Sequence, residues 1–325
     1  MRDNRRPGRR KRSAFVFAVV GDKHVAAASI AINFLKQFSK ADIAVVLARS
    51  EIMPAHDQVV RAEVPDHLND HQASIYLKTR LYKYVAELAD IYCYLDSDVI
   101  AVRGEADDVF AELRAPISFA ADHIDIDTFS SWAVNCGCPP GRCRHLRDSI
   151  HKKFGVDIPS GEWICWNGGV FVFDRNSEEF LLAWHQRSME IMGNPEWKTR
   201  DQGALAATVW AHGLQDHALL PQAFNLILDR MWNIPSARRA IAQVSELRFR
   251  EDYSLSPREG STAPRLIHFI NGGVGQVGWR HWDEVEALLS MKRRHRGLQA
   301  MPVVMEENRS SDNSGLADHC LDGDC

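Results

Sequence analysis

The chain has 325 residues, 45% of them hydrophobic, and a formal net charge of −4. That is enough to bury one large core or two modest ones, and no apolar run is long enough to cross a bilayer. Seven cysteines, an odd number in a chain of this size, argue against a disulfide framework.

The charge is unevenly spread. Residues 1–12 carry seven basic side chains and one acidic, and residues 306–325 carry six acidic and one basic. Both ends are polar stretches with nothing to fold around. They read as a disordered basic arm (1–12) and a disordered acidic tail (305–325) on either side of one domain over 13–304. No nucleic-acid partner is expected. The arm is too basic, and the apolar run behind it too short, for a secretory signal, so the chain reads as cytoplasmic.

In chain order, SAFVFAVV (13–20) is a short, continuous apolar run closed by Gly21-Asp22, which predicts a buried strand. Ile30, Phe34, Leu35 and Phe38 then recur at helical spacing, and DIAVVLAR predicts a second buried strand. A strand, a helix and a strand with continuous apolar strands predict a mostly parallel sheet with helices on both faces, an α/β fold. ASIYLKTRLYKYVAEL (73–88) predicts one helix with Ile75, Leu81, Tyr84, Val85 and Leu88 inward. IYCYL follows as the next strand. Further on, APISFAA and GGVFVFD read as strands, SEEFLLAWHQRSMEIM and QGALAATVWAH as helices, and RLIHFI as a late strand. Asp122 to Ser160 reads as a long loop.

The run ADIYCYLDSDVIAV sets two carboxylates, Asp96 and Asp98, into an apolar stretch. In an extended chain residues i and i+2 point to the same side, so the pair can face one cation. Burying carboxylates without a positive partner is costly, and oxygen ligands suit Mg²⁺ or Mn²⁺. The carboxyl edge of a parallel sheet is also where such folds bind ligands. Asp125-Ile-Asp127 and Asp322-Gly-Asp324 repeat the spacing without following a buried strand.

YLDSDVIAV behind a helix beginning IYLKTRL resembles the Asp-x-Asp region of the family 8 glycosyltransferases. That group has the GT-A fold and includes bacterial lipopolysaccharide galactosyl- and glucosyltransferases and glycogenin. FVFAVVGDKHVAAASIAI, WNGGVFVFDRN, DQGAL, and LPQAFN with LIHFINGGVGQVGW resemble four more segments of the family, in the same order. The resemblance runs over residues 14–282.

What the resemblance implies is a GT-A type nucleotide-diphospho-sugar transferase fold and retaining transfer of a hexose. The donor would be a nucleotide sugar, usually UDP-linked, and the acceptor a glycan, a lipid-linked sugar or a protein. Asp96, Asp98 and His268 would hold Mn²⁺ or Mg²⁺ against the diphosphate. The turn Val19 to His24, with Asp22 and Lys23, would hold uracil and ribose, and Ser97 would lie against the ribose. Lys78 stands at an arginine position of the family's nucleotide site. Asn167, Gly168 and Gly169 would face the donor sugar. Asp201 would hold sugar hydroxyls and Gln202 would sit beneath the anomeric carbon, the two making the catalytic pair. The family's last loop carries a phosphate-binding lysine where this chain has Val277. Gly272, Gly273 and Gly275 would offer backbone N–H groups there instead, with Arg280 nearby.

Plainer readings stand beside these. His268 could be a core histidine, Asp201 a helix cap, and Asn167-Gly168-Gly169 only a turn. Trp163 and Trp166 could stack on a sugar or simply pack. Cys136, Cys138, Cys143 and His145 are four potential zinc ligands, but their spacing is not that of common zinc fingers and reads as free thiols. The basic run 291–296 reads as a solvated helix end, with peripheral contact to an anionic membrane as the alternative. The alternatives to a transferase are a relative that binds a sugar nucleotide or a partner without transfer, and a nucleotidyltransferase. A nucleotidyltransferase is disfavoured because no Gly-rich phosphate loop with a lysine follows the first strand.

Overall fold

The computed structural model describes residues 11–54, 56, 58–114, 116–123, 126–138, 143–159, 165–198, 201–229, 248–249, 255–256, 263–277 and 279–295. The acidic tail, Trp163 and all but two residues of the basic arm lie outside them. Arg12, expected in the arm, joins the body. Its N–H donates to the Asp90 carboxylate at 2.7 Å, and its carbonyl accepts from Asp90 N–H at 2.9 Å.

The central sheet is built from β1 (Ser13–Val20), β2 (Asp42–Ala48), β3 (Val59–Arg61), β4 (Ile91–Leu95), β6 (Ile117–Ala121) and β7 (Trp166–Asp174), in the order β3-β2-β1-β4-β7-β6. The first four strands are mutually parallel, and β7 runs antiparallel to both of its neighbours. A smaller sheet, ordered β5-β11-β8, joins β5 (Val99–Ala101), β8 (Leu226–Asp229) and β11 (Leu266–Ile270). A two-residue pair, β9 (Arg248–Phe249) and β10 (Leu255–Ser256), stands apart. No helix among the described residues is long and apolar enough to cross a membrane.

The continuous apolar strands are explained by burial on both faces. In β1, Ala14, Val16, Ala18 and Val20 face one core layer, while Phe15, Phe17 and Val19 face the other. The first layer packs against α2 (Asp70–Thr79), α6 (Glu178–Ile191) and α7 (Asp201–Ala211). The second packs against α1 (Gly21–Phe38), the small sheet and α8 (Arg280–His295). Successive aromatics of β4 and β7 stack across the antiparallel pair. Tyr92 lies on Phe173 at 5.1 Å and Tyr94 on Phe171 at 4.8 Å between ring centroids. The basic run falls at the end of α8, where its side chains lie outside the described residues.

Three expectations need correction. The helix expected over 73–88 breaks at Arg80 (φ −112°, ψ 11°) into α2 and α3 (Leu81–Val85). Thr79 Oγ1 donates to the Ile75 carbonyl at 2.8 Å, a side-chain bond that competes with the helical ladder. The supposed loop 122–160 contains α4 (Ile126–Ala133) and α5 (His145–Phe154). The aspartates follow the strand IYCYL, but the chain through them is a turn and not extended. β4 ends at Leu95, the Val99 N–H closes a turn on the Asp96 carbonyl at 3.0 Å, and the chain enters β5 of the other sheet.

Candidate active site and metal centre

The turn that links the two sheets sets the geometry. The Asp96 N–H donates to the Gly169 carbonyl at 2.8 Å, and the Asp98 carbonyl accepts from Phe269 N–H at 2.9 Å. One aspartate is thereby tied to β7 and the other to β11. Antiparallel pairing sets His268 opposite Val99, beside the aspartates. His268 Nε2 lies 3.2 Å from Asp98 Oδ1 and 3.9 Å from Asp96 Oδ2. Ligand atoms of all three residues fall within 4.8 Å of one another. His268 is buried, while the two aspartate side chains are 28% and 30% exposed, so the group opens to solvent on the carboxylate side.

His268 is oriented as a metal-ligating histidine requires. Its Nδ1 lies 3.2 Å from Asn225 Oδ1, which makes Nδ1 the donor and leaves Nε2 to face the carboxylates. Asn225 Nδ2 in turn donates to Asn167 Oδ1 at 3.1 Å, and Asn167 Nδ2 donates to Asp122 at 2.9 Å. Asn167 Oδ1 also accepts the Gly169 N–H at 2.9 Å. Asn167 therefore lies in the cavity wall with its amide already engaged in bracing the site. A side chain at Gly169 would put its Cβ 2.2 Å from His268 Cε1, so glycine is what admits the imidazole. A Cβ at Gly168 would come within 3.2 Å of both Asp201 Oδ2 and the Trp184 ring.

The electrostatics favour a divalent cation. Lys78, buried in α2, reaches Asp201 Oδ2 at 3.0 Å and Asp96 Oδ1 at 3.1 Å. Burial opposes its charge, but Asp201 and Asp96 outweigh that and hold its pKa above the usual lysine value. Burial, reinforced by Asp96, pushes the Tyr94 hydroxyl well above its ordinary value, so it stays protonated and donates to Asp96 Oδ1. Burial disfavours a charge on His268, yet Asp98 and Asp96 favour it more, and the balance raises its pKa. Asp96, Asp98 and Asp201 together face one buried cation, Lys78. Two carboxylates with one imidazole form a donor set that suits a divalent ion such as Mn²⁺ or Mg²⁺.

These residues line a cavity of about 610 Å³. Of the residues singled out in the sequence, His24, Lys78, Asp96, Ser97, Asp98, Asn167, Gly168, Gly169, Asp201, Gln202 and His268 meet there. His24 Nδ1 lies 3.4 Å from Ser97 Oγ. Val19, Asp22 and Lys23 do not line it. Val19 is buried in the core beneath α1, Asp22 accepts a hydrogen bond from Ser50 Oγ at 2.5 Å, and Lys23 is exposed. Nor do the glycines of the last loop. A Cβ at Gly273 would lie 2.4 Å from the Trp279 ring, so that glycine serves packing. The N–H groups of Gln276, Val277 and Trp279 close turns within the loop. Val277 is 76% exposed, and Trp166 is buried where β7 begins.

Sequence reasoning missed Tyr94, Asn225, Trp132 and Lys198. Tyr94 was legible in principle, because it lies two residues before Asp96 on the same side of the strand. Asn225 sits in the quoted segment LPQAFN. Trp132 and Lys198 come from stretches whose spacing carries no signal.

No family model and no curated protein sequence matches this chain. Solved structures do resemble it in fold. The bifunctional glycosyltransferase WbbM, in its apo structure, superimposes with a TM-score of 0.51 at 11% identity, over 90% of this chain and 52% of that one. The present chain thus spans about half the length of that protein. The galactosyltransferase LgtC, in complex with donor and acceptor sugar analogues, gives 0.48 at 13% identity over 89% of this chain and 98% of that one. Mouse xyloside xylosyltransferase 1, also apo, gives 0.48 at 12% identity over 80% and 98%. The mixed sheet, its layers and the likeness to WbbM show the GT-A type of glycosyltransferase fold.

Proposed function

We propose that this chain is a metal-dependent, retaining glycosyltransferase of the family 8 type, moving a hexose from a UDP-sugar to a glycan, lipid-linked or protein acceptor. The observation that carries the reading is the convergence of Asp96, Asp98 and His268 at the cavity, with Lys78 bridging Asp96 to Asp201. Asp96, Asp98 and His268 would hold Mn²⁺ or Mg²⁺. When bound, the ion supplies positive charge to the departing diphosphate.

The chain's own residues do the rest. Ser97 and His24 border the nucleotide side, and Gly168 and Gly169 would line the donor-sugar side, where their missing side chains leave room for Asp201 and His268. Asp201, held by Lys78 at 3.0 Å, offers its carboxylate oxygens as acceptors for sugar hydroxyls. Gln202, an amide, offers a dipole rather than a nucleophile beneath the anomeric carbon. Asp201 is paired to Lys78, and Asp122, the other carboxylate on that wall, is engaged by Asn167 and His123, so neither is set out as a nucleophile for a covalent intermediate. The acceptor oxygen would then bond to the anomeric carbon from the face the UDP leaves, as the bond to the phosphate oxygen breaks and that oxygen takes the acceptor's proton, with retention. Lys198, which also lines the cavity, adds positive charge that the last loop lacks.

Incubation with UDP-glucose or UDP-galactose and Mn²⁺ tests the reading through release of UDP. Slow, Mn²⁺-dependent release is expected, and Asp96→Ala and Asp98→Ala should each abolish it. Release that persists unchanged in both variants would place the chemistry elsewhere. Tight UDP-sugar binding with no release to water or to any sugar acceptor would favour a binding protein over a transferase.

A further inference from the structure

We propose that Cys136, Cys138, Cys143 and His145 form a structural zinc site that joins the end of α4 to the start of α5 and fixes one wall of the cavity. Their spacing reads as free thiols, but the fold gathers them. Cys136 Sγ lies 3.1 Å from Cys143 Sγ, and His145 Nδ1 lies 3.3 Å from Cys143 Sγ and 3.6 Å from Cys138 Sγ. All four ligand atoms fall within 4.8 Å of one another. Zinc bonds of about 2.3 Å to sulfur and 2.0 Å to nitrogen place tetrahedral ligands roughly 3.5–3.8 Å apart, so small side-chain rotations admit the ion. A Cys136–Cys143 disulfide would need about 2.05 Å between sulfurs, a larger change from the 3.1 Å seen than the zinc geometry requires, and would leave Cys138 and His145 without a role.

The backbone is shaped for the same purpose. Gly137, between two of the cysteines, has φ +66°, yet a Cβ there would meet nothing within 4 Å. Glycine is therefore used for its left-handed conformation, which turns Cys136 and Cys138 toward one point. The buried Ser130 hydroxyl lies 3.3 Å from Cys143 Sγ while accepting the Leu146 N–H at 2.9 Å. It can donate to the sulfur, as groups around thiolate ligands commonly do. Three thiolates and one imidazole make a soft, closed donor set with no position left for substrate. That suits zinc in a structural role and not the oxygen-liganded ion of the aspartate site.

The site has a consequence for the cavity. Phe129 and Trp132 of α4 line it, and Lys198 is bound to the same helix, its N–H donating to the Ala133 carbonyl at 2.9 Å and its Nζ to the Ser131 carbonyl at 2.7 Å. A pinned α4 holds these three side chains in place.

Metal analysis of the reduced full-length protein, purified without chelator, tests the proposal. About one zinc per chain is expected, unchanged in Asp96→Ala and Asp98→Ala and lost in Cys138→Ser and His145→Ala. Co²⁺ exchanged into the unmodified protein should give the intense visible absorption of a tetrahedral thiolate site, which decides the matter even if the cysteine variants do not fold. The proposal fails if reduced protein incubated with Zn²⁺ retains none and shows no such cobalt absorption. It fails equally if the zinc departs with Asp98→Ala, or if the protein as isolated carries a Cys136–Cys143 disulfide by mass. Absence of UDP release by the unmodified protein, with its zinc intact, would instead count against the transferase reading alone.

Discussion

His268 is where the site's opposing influences meet. Burial works against its positive charge, but Asp98 and Asp96 prevail and raise its pKa above 6.5. In the metal-free protein this pairing contributes stability that is fully present below the unfolded pKa of about 6.5 and is lost as pH rises through the raised folded value. Metal binding needs the neutral imidazole, so it strengthens over the same rise. Thermal unfolding with and without Mn²⁺ should therefore show a metal-induced gain that grows as pH rises from below 6.5, and a flat gain would remove His268 from the ligand set. At constant pH, His268→Ala should weaken Mn²⁺-dependent UDP binding while leaving UMP, which lacks the diphosphate, nearly unaffected. Equal losses for both nucleotides would make it a core residue only. Lys78 makes a separate prediction. Its removal strands the buried Asp201 carboxylate, and breaking such a pair costs about 3–5 kcal/mol. Denaturant unfolding of Lys78→Met should show a loss of that order, and a loss well under 1 kcal/mol would mean that water reaches Asp201 freely.

Among the elements, the start of β7 matters most. Its ladder with β6 jumps from Phe119↔Phe171 to Ala120↔Asn167, so Gly168, Gly169 and Val170 are passed over in that pairing, beside His268. Gly169→Ala should cost about 1–3 kcal/mol through the clash with the imidazole, and should weaken Mn²⁺-dependent UDP binding by displacing it. Gly193→Ala, at φ +77° but with open space around it and far from these contacts, provides the comparison, a stability loss without a change in UDP binding. The β4–β7 strands were legible because each is a short apolar run, and IYCYL and GGVFVFD carry that pattern unbroken. α4 was not, because Ser130 and Ser131 occupy buried positions as hydrogen-bonded polar residues and blur the helical period. The break at Arg80 was equally hidden, since no glycine or proline marks it.

On the scale of the whole molecule, the parallel half of the sheet could be read from β1, β2 and β4 alone, whose apolar runs need cover on both faces. The division into two sheets could not. LDSDVIAV reads as one interrupted strand, and only the pairing of Val99 with His268 reveals that its second half belongs to another sheet. The same division brings Asp96, Asp98 and His268 together, although His268 lies 170 residues beyond Asp98 in the chain. A chain trimmed to residues 11–304 retains Arg12 and its bonds to Asp90, together with every proposed site residue. It should release UDP from the donor at the rate of the full chain, and loss of that activity in a folded trimmed protein would give the ends a role in the site.

The proposed transfer depends on a metal held jointly by Asp96, Asp98, His268 and a nucleotide diphosphate. Calorimetric titration of UDP into the full-length protein, with Mn²⁺ and again with a chelator, tests it most directly. The predicted result is binding at least tenfold tighter with Mn²⁺, a difference of about 1.4 kcal/mol or more, with Asp98→Ala reduced to the chelator value under both conditions. Equal affinity with Mn²⁺ and with chelator in the unmodified protein would contradict it.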